Sequence, residues 1–207
     1  QIETLSQVSE TVTSNRLIED VLQLLVTMTA PMMNSKICSI MLLEPHAGEL
    51  RIVATQSLSE QYRRKASLKV GQSISGRAVQ ERRPIIVPDV TKEPDYMYRE
   101  IAAKEGLCSL LSVPMMIRDK AVGVINSYTS VPHAFTVDEV KIMQAIANQA
   151  AIAIEKAVLY VSARQKLMEH KRAEEGLESS FSLLNATFNA TADGMLAVDR
   201  AGKIVTF

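Results

Sequence analysis

The sequence predicts an α+β fold with an antiparallel sheet, and three observations lead to this prediction. Short apolar runs separated by turn residues fill the middle of the chain, as in consecutive strands. A segment with helical apolar spacing precedes them, and a long proline-free segment with a seven-residue apolar repeat follows them. Helices gathered at the two ends of a run of strands are typical of an α+β domain.

The N-terminal part has the periodicity of helices. Apolar residues recur at three- and four-residue steps from Ile2 to Val12. After Ser14 and Asn15, which can cap a helix, the same spacing continues from Ile18 to Met28. Pro31 discourages a longer helix, although a last turn can persist.

The middle of the chain predicts strands joined by short turns. Ile37–Leu43 is almost continuously apolar, as expected for a central strand that is buried on both faces. A turn at 45–48 leads to a second strand at 50–57, which suggests a hairpin. The remaining predicted strands are 85–87, 110–117 and 122–128, and short helices fit at about 59–66, 75–82 and 96–104.

One long helix is predicted from 137 to about 186. Thr136 and Glu139 have the spacing of a capping box, and apolar residues then repeat every seven positions from Val140 to Met168. About fifty helical residues would extend roughly 75 Å, which is longer than one domain. The apolar stripe can pack on its own sheet, but its far half would then be exposed. We therefore favour a parallel homodimeric coiled coil.

The composition disfavours two classes of partner. Lys plus Arg and Asp plus Glu both number 23, so no general field attracts nucleic acid or acidic lipid. We interpret the short basic clusters 63–65 and 82–83 as solvated faces. The most apolar long stretch, 145–161, carries four polar or charged residues, so no membrane span is expected.

The two cysteines favour a reducing compartment. Cys38 and Cys108 are far apart in the sequence and lie within apolar runs. This placement is typical of buried thiols rather than of a disulfide framework, so we expect a cytoplasmic protein.

The stretch GQSISGRAV (71–79) allows three interpretations. It resembles a G-x-G-x-x-G dinucleotide loop, except that Ser73 replaces the middle glycine. It also resembles a G-x-S-x-G nucleophile elbow, except that Ser75 replaces the last glycine, and no acid–histidine pair is evident. The third interpretation is a turn entering a short helix, in which Gly71 and Gly76 serve the backbone and Ser73 or Ser75 can cap.

Taken together, these segments resemble a GAF domain, a small-molecule sensor module of signalling proteins. The resemblance covers most of the chain and rests on the order and spacing of five stretches. They are LIEDVLQLLV (17–26), ICSIMLLEPHAGELRIVA (37–54), VGQSISGRAVQERRPIIVPDV (70–90), LCSLLSVPMMIRDKAVGVINSY (107–128) and FTVDEVKIMQAIANQAAIAIEKA (135–157).

The remaining C-terminal segment, 169–207, resembles the linker helix and first hairpin of a PAS domain, with strands at 195–198 and 203–207. The predicted organisation is an N-terminal helix (1–16), a GAF domain (17–157), a coiled-coil linker helix (158–186) and the start of a PAS domain (187–207). This arrangement is similar to that of bacterial sensor histidine kinases, in which such modules precede an output domain.

The GAF resemblance implies terminal helices on one face of the sheet, often dimerising, and a pocket on the other face beneath short helices and loops. It implies a non-catalytic sensory module that binds an unidentified small molecule and relays its state through the C-terminal helix. The candidate ligand contacts are the polar residues of the sheet and roof: Ser75, Arg77, Asp89, Tyr96, Tyr98, Ser109, Asn126 and Tyr128. Each of them could instead make only a structural hydrogen bond.

Several alternatives stay open. One is a ligand-free dimerisation spacer whose own side chains fill the pocket. Another is cyclic-nucleotide binding, since Phe135, Asp138 and Glu139 resemble the signature of cyclic-nucleotide-binding GAF domains, although the spacing from Phe135 to Asp138 is one residue short. A third is methionine sulfoxide reduction, for which Cys38 and Cys108 are not well arranged. Ser109 follows Cys108, which disfavours bilin attachment, and no spacing of ligands indicates a metal or haem, so the cofactor is left unidentified.

Overall fold

The computed structural model describes residues 18–190, 197–198, 201 and 203–206 of the chain. The predicted helix between Ile2 and Val12 lies outside these residues. The chain divides into two compact units, Gln1–Leu159 and Tyr160–Phe207.

The first unit contains an antiparallel sheet, as the sequence predicts, but the sheet has six strands rather than the five that were predicted. Its strands are β1 (Ile37–Glu44), β2 (Glu49–Thr55), β3 (Leu68–Lys69), β4 (Ile85–Val87), β5 (Leu110–Ile117) and β6 (Lys120–Tyr128). The spatial order is β3-β2-β1-β6-β5-β4, and every neighbouring pair is antiparallel. The two-residue strand β3 was not predicted, because so short a segment has no detectable periodicity.

The described residues form five helices. They are α1 (18–32), α2 (Glu60–Arg63), α3 (Ser73–Glu81), α4 (Arg99–Glu105) and α5 (Val137–Ala190). Helix α2 is a single turn and ends earlier than the predicted range 59–66, and α4 begins three residues later than predicted. As expected, the helical conformation of α1 persists through Pro31 for a last turn.

Alternating residues of the central strands supply a separate core on each face of the sheet. Cys38 and Ile40 of β1 pack with α1 and with the first part of α5. Ile37 and Met41 of the same strand face the other way and pack beneath α2, α3 and α4. We call this second side the roofed face.

The predicted capping box at the start of α5 is confirmed. The Thr136 backbone N–H donates to Glu139 Oε2 at 2.7 Å, and the Glu139 backbone N–H donates to Thr136 Oγ1 at 3.2 Å. These hydrogen bonds lower the pKa of the Glu139 carboxyl, which favours its charged form near the positive end of the helix dipole.

The apolar stripe of α5 changes its surroundings along the helix. Met143, Ala147 and Ile154 are buried in the core of the first unit. In the second unit Val161 is half-buried, whereas the described large apolar side chains of the helix from Leu167 onward are exposed, with 70% of Leu167 and 74% of Leu177 accessible. The stripe therefore packs on its own sheet only in its first part.

The second unit also contains a short hairpin. Strand β7 (Ala197–Val198) pairs antiparallel with β8 (Ile204–Thr206), within the two predicted strands. Met195 and Phe207, at the outer ends of those predictions, lie outside the described residues. None of the helices within the described ranges combines the length and the hydropathy that a membrane span requires.

Candidate functional site

A row of three polar side chains crosses the middle of the roofed face. Asn126 of β6 pairs in register with Ser39 of β1 on one side and with Ser112 of β5 on the other. All three are fully buried. Their neighbours Val124 and Tyr128 belong to the core of the roofed face, so the two-residue alternation of a strand places Asn126 on that face as well.

Asn126 is incompletely paired. Its Oδ1 accepts hydrogen bonds from Ser112 Oγ at 2.7 Å and from Ser75 Oγ of α3 at 3.1 Å. Its Nδ2 is buried and has no hydrogen-bond partner among the described residues. An unpaired buried donor costs about 1–3 kcal/mol, so this amide nitrogen is an unusual feature of a folded core.

Three buried tyrosines extend the polar row. Tyr128 of β6 meets the rings of Tyr62 and Tyr96 edge to face, with centroid distances of 6.2 Å and 6.4 Å. The Tyr96 hydroxyl donates to the Tyr128 hydroxyl at 3.3 Å, and the Tyr62 hydroxyl lies 3.0 Å from Ser39 Oγ. Burial raises the pKa of all three phenols, so they are neutral hydrogen-bonding groups at physiological pH.

A lysine ammonium lies against these rings. Lys65 Nζ is 4.1 Å from the ring centroid of Tyr62, 5.4 Å from that of Tyr98 and 5.8 Å from that of Tyr128. Lys65 is half-buried as a residue, but desolvation of its ammonium lowers its pKa to about 7. Within the described part of the chain, neither a carboxylate nor a hydrogen-bond acceptor pairs with this nitrogen.

The segment between β4 and α4 forms one wall of this cluster. Tyr96 and Tyr98 also line an open depression of about 600 Å³ on the outer side of the segment. Ion pairing holds the segment against α3, since Arg77 Nη1 lies 2.9 Å from Asp95 Oδ2. The depression and the lysine therefore share Tyr98 as a common wall.

The structure brings four of the sequence-predicted site residues into the buried cluster: Ser75, Tyr96, Asn126 and Tyr128. Tyr98 lies at its edge, where its ring faces Lys65 and its hydroxyl donates to the Ala66 carbonyl at 2.5 Å.

The other three predicted residues lie apart from the cluster. The Arg77 guanidinium pairs with Glu81 and Asp95. Asp89 accepts from the Thr91 hydroxyl at 2.6 Å and pairs with Lys92, contacts that lower its pKa to about 2. Ser109 is buried, and its Oγ donates to the Pro88 carbonyl and accepts from a backbone N–H. All three make structural hydrogen bonds.

Four residues of the cluster were missed by sequence reasoning: Ser39, Tyr62, Lys65 and Ser112. Ser39 and Ser112 interrupt otherwise apolar strands, and that interruption was a usable signal of a buried polar contact. The interpretation of 63–65 as a solvated face is wrong for Lys65, because the end of α2 turns this side chain toward the tyrosines.

The stretch 71–79 forms a turn and a short helix on the roofed face. Gly71 has a positive φ of 83°, and a Cβ on Gly76 would lie 2.4 Å from the Lys69 carbonyl oxygen. The expected serine cap is wrong, since Gln72 occupies the N-cap without a side-chain bond. Ser73 instead accepts from the Met97 backbone N–H, and Ser75 donates to Asn126.

Neither the dinucleotide-loop nor the nucleophile-elbow interpretation of that stretch agrees with its surroundings. A dinucleotide fold requires a parallel βαβ crossover, whereas β4 follows α3 and pairs antiparallel with β5. A nucleophile elbow requires a histidine beside the serine, whereas Ser75 is hydrogen-bonded to an amide.

This arrangement, an antiparallel sheet between a helical face and a roofed face with a polar cluster, agrees with the family comparison. The GAF domain model matches residues 15–155, which is more than half of the chain. The chain therefore belongs to the GAF domain family, which confirms the resemblance found in the sequence.

One curated relative is a regulatory protein. The chain is 27% identical over 131 residues to a Nif-specific regulatory protein of Herbaspirillum seropedicae, covering 61% of this chain and 24% of that protein. It thus spans about a quarter of the length of that relative.

Three solved structures share the fold. The GAF domain of a phosphoenolpyruvate-protein phosphotransferase from Coxiella burnetii is 23% identical, with a TM-score of 0.65 over 78% of this chain and 96% of that one. A domain of a putative two-component sensor histidine kinase protein from Sinorhizobium meliloti is 26% identical, with a TM-score of 0.59 over 71% and 96% of the two chains. A free methionine-R-sulfoxide reductase from Neisseria meningitidis is 16% identical, with a TM-score of 0.58 over 70% and 89%.

Proposed function

We propose that this chain is a non-catalytic sensory domain that binds a small molecule on the roofed face of its sheet. The observation that carries this proposal is the unpaired Asn126 Nδ2, buried beside the Lys65–tyrosine cluster. A buried donor without an acceptor is costly in the free protein, so a ligand that supplies the acceptor gains affinity there.

The relay of the ligand signal is the second part of the proposal. Helix α5 begins at the GAF domain and continues into the second unit, where most of its described large apolar side chains are exposed. A second copy of the chain covers these side chains in a parallel coiled coil, and small register changes pass toward the PAS and output domains. The regulatory relative and the sensor histidine kinase domain support this role by similarity.

The arrangement of the cysteines supports a non-catalytic role. Cys38 is fully buried on the helical face of the sheet, opposite the tyrosine cluster. Burial raises the pKa of its thiol to about 12, so the nucleophilic thiolate is scarce. Methionine sulfoxide reduction by a cysteine pair, as an alternative function, receives no support from this geometry.

One observation favours the alternative of a ligand-free spacer. The rings of Tyr62, Tyr96 and Tyr128 are close-packed and buried, so side chains of the domain itself already occupy much of the roofed face. In this alternative the terminal helices dimerise, and the cluster only stabilises the fold.

A ligand screen with a matched pair of variants separates the two functions. Mass analysis of compounds that co-purify with the chain is combined with thermal melting against a panel of small metabolites. We expect at least one compound to raise the melting temperature, and Asn126→Ala to abolish that shift. Asn148→Ala, which changes an exposed asparagine of α5, keeps the shift. A panel without any effect on the wild-type chain favours the spacer.

Light scattering at micromolar concentrations tests the dimer. Met168 lies on the apolar repeat, whereas the exposed Ala163 falls between its seam positions. We expect Met168→Glu to shift the wild-type dimer toward monomer and Ala163→Glu, the same change of charge, to leave it intact. A wild-type monomer across the concentration range would rule out the coiled coil.

A further inference from the structure

In the buried polar cluster on the roofed face, the unpaired hydrogen-bond donors outnumber the unpaired acceptors. Asn126 Oδ1 already accepts from two serine hydroxyls, and the Tyr96 hydroxyl donates to Tyr128. Two donors have no hydrogen-bond partner among the described residues: the buried Asn126 Nδ2 and the ammonium of the half-buried Lys65. Among the described residues, the cluster therefore has a surplus of N–H groups and a deficit of acceptors.

The two unpaired donors belong to one contiguous cluster. Asn126 is the register partner of Ser39, and Ser39 Oγ lies 3.0 Å from the Tyr62 hydroxyl. The ring of Tyr62 is in turn the nearest ring to Lys65 Nζ. Tyr128, two residues from Asn126 on the same strand, also faces the lysine.

The charge of the cluster is uncompensated by the described residues. The groups that face Lys65 Nζ are Tyr62 from the end of α2, Tyr98 from the segment before α4, and Tyr128 from β6, and all three have a raised pKa. Of the acids on α2 and on the segment before α4, Glu60 contacts Arg64 and Asp95 pairs with the Arg77 guanidinium. Ring faces attract a cation but do not neutralise it.

We propose that the ligand of this site carries an oxyanion, a carboxylate or a phosphate, that accepts hydrogen bonds from Lys65 Nζ and Asn126 Nδ2. This inference rests on the proposed function and specifies its ligand class. An anion supplies the acceptor that Asn126 Nδ2 lacks and a counterion for the half-buried Lys65 ammonium, and hydrogen bonds to a charged group are stronger than those between neutral groups. An organic cation would be repelled by the Lys65 ammonium, and a neutral amide would leave that ammonium without a counterion.

Matched small probes test the charge requirement directly. Acetate and inorganic phosphate serve as oxyanions, acetamide as the neutral isostere of acetate, and tetramethylammonium as the cation, all at equal ionic strength with chloride as counterion. The readout is the NMR signal of the Asn126 side-chain NH₂ group in the wild-type chain, titrated at pH 6.5. We expect acetate or phosphate to shift this signal in a saturable manner, and acetamide and tetramethylammonium to leave it in place.

Two lysine variants test whether Lys65 is the group that pairs with the bound anion. Lys65→Met keeps the length of the side chain but removes its charge, and we expect it to weaken oxyanion binding at least tenfold. Lys69→Met, which changes an exposed lysine of β3, serves as the control and keeps the wild-type affinity. Equal binding by Lys65→Met and by the wild type would overturn the role of Lys65 in the proposal.

The outcomes distinguish this inference from the broader function. If acetamide or tetramethylammonium saturates the Asn126 signal while both oxyanions fail, the ligand class is wrong and the sensory role stands. If neither the four probes nor the metabolite panel acts on the wild-type chain, the sensory role fails together with the inference. Because the main readout uses the wild-type chain, this decision does not depend on the folding of a variant.

Discussion

The ammonium of Lys65 lies 4.1 Å from the centre of the Tyr62 ring, a residue only three positions earlier in the chain. The contact forms because the one-turn helix α2 ends between them, so the chain bends back toward the sheet. An ammonium at this distance from a ring face gains a cation–π attraction, but it also loses hydration. Desolvation lowers the pKa of Lys65 to about 7, so burial disfavours the charged form of this side chain.

The desolvation of Lys65 predicts that this residue destabilises the folded chain by an amount that depends on pH. Its pKa of about 7 in the folded chain lies below the ordinary value of 10.5. Between these values the unfolded chain holds a proton that the folded chain has released, so the free energy of unfolding rises with pH through this window. The cost is fully present below pH 7. We expect Lys65→Met to be more stable than the wild type at pH 6, and the difference to shrink by about 1–2 kcal/mol at pH 9.

Urea denaturation of both proteins between pH 6 and pH 9 measures this difference. Groups that titrate alike in the two proteins cancel, and the buried tyrosines remain protonated throughout this range. Lys69→Met, whose lysine is exposed, should follow the wild type at every pH. A constant difference between Lys65→Met and the wild type would show that the Lys65 pKa is not lowered.

Substitution of glycine by alanine is expected to have opposite effects on stability at Gly76 and at Gly176. A Cβ on Gly76 would lie 2.4 Å from the Lys69 carbonyl oxygen, and backbone cannot move aside easily, so we expect Gly76→Ala to destabilise the first unit by more than about 2 kcal/mol. Gly176 lies inside α5, and beyond the backbone of that helix a Cβ there would meet no described atom within 4 Å. Gly176→Ala should therefore raise helix stability by about 0.5–1 kcal/mol. Circular dichroism during denaturation checks both, and an unchanged Gly76→Ala protein would contradict the close contact.

The two cysteines should react at very different rates. Cys38 is fully buried and burial raises its thiol pKa to about 12, whereas Cys108 is half-buried. We expect a thiol reagent at pH 8 to modify one equivalent in the native chain and two equivalents after denaturation. In Cys108→Ser the fast equivalent should disappear, while Cys38→Ser should retain it. Rapid modification of Cys38 in the native chain would mean that the sheet opens readily.

The capping box of α5 should contribute measurably to stability. Thr136→Ala removes the Oγ1 acceptor of the Glu139 backbone N–H, so we expect a loss of about 1 kcal/mol in the free energy of unfolding. Thr27→Ala is a suitable control, because the exposed Thr27 only bonds back to the Gln23 carbonyl within α1. Chemical denaturation compares the two, and equal losses would argue against a specific contribution of the cap.

Much of the fold could be predicted because periodicity is a local property of the chain. Strands β4 and β5 have the predicted limits, and the capping residues mark the start of α5 correctly. Asn126 and Tyr128 were candidates for the site because they are polar residues of the predicted strand 122–128, and the alternation of that strand puts both on one face.

The full set of residues in the cluster could not be predicted, because it depends on contacts between distant parts of the chain. Ser39, Ser112 and Asn126 form a row only because the register of three separate strands aligns them. Arg77 and Asp89 resemble ligand contacts in the sequence, but nearby partners satisfy them in the fold.

The sequence by itself determined the α+β architecture, the limits of β4 and β5 and the start of α5, since apolar spacing and turn residues act over a few positions. Five characteristic stretches also indicated the GAF family. The tertiary structure decided that Lys65 leaves the solvated run 63–65 and meets three tyrosines, and that Asn126 keeps an unpaired amide. Burial and pairing depend on which distant groups surround a side chain, and that information is absent from any short stretch of sequence.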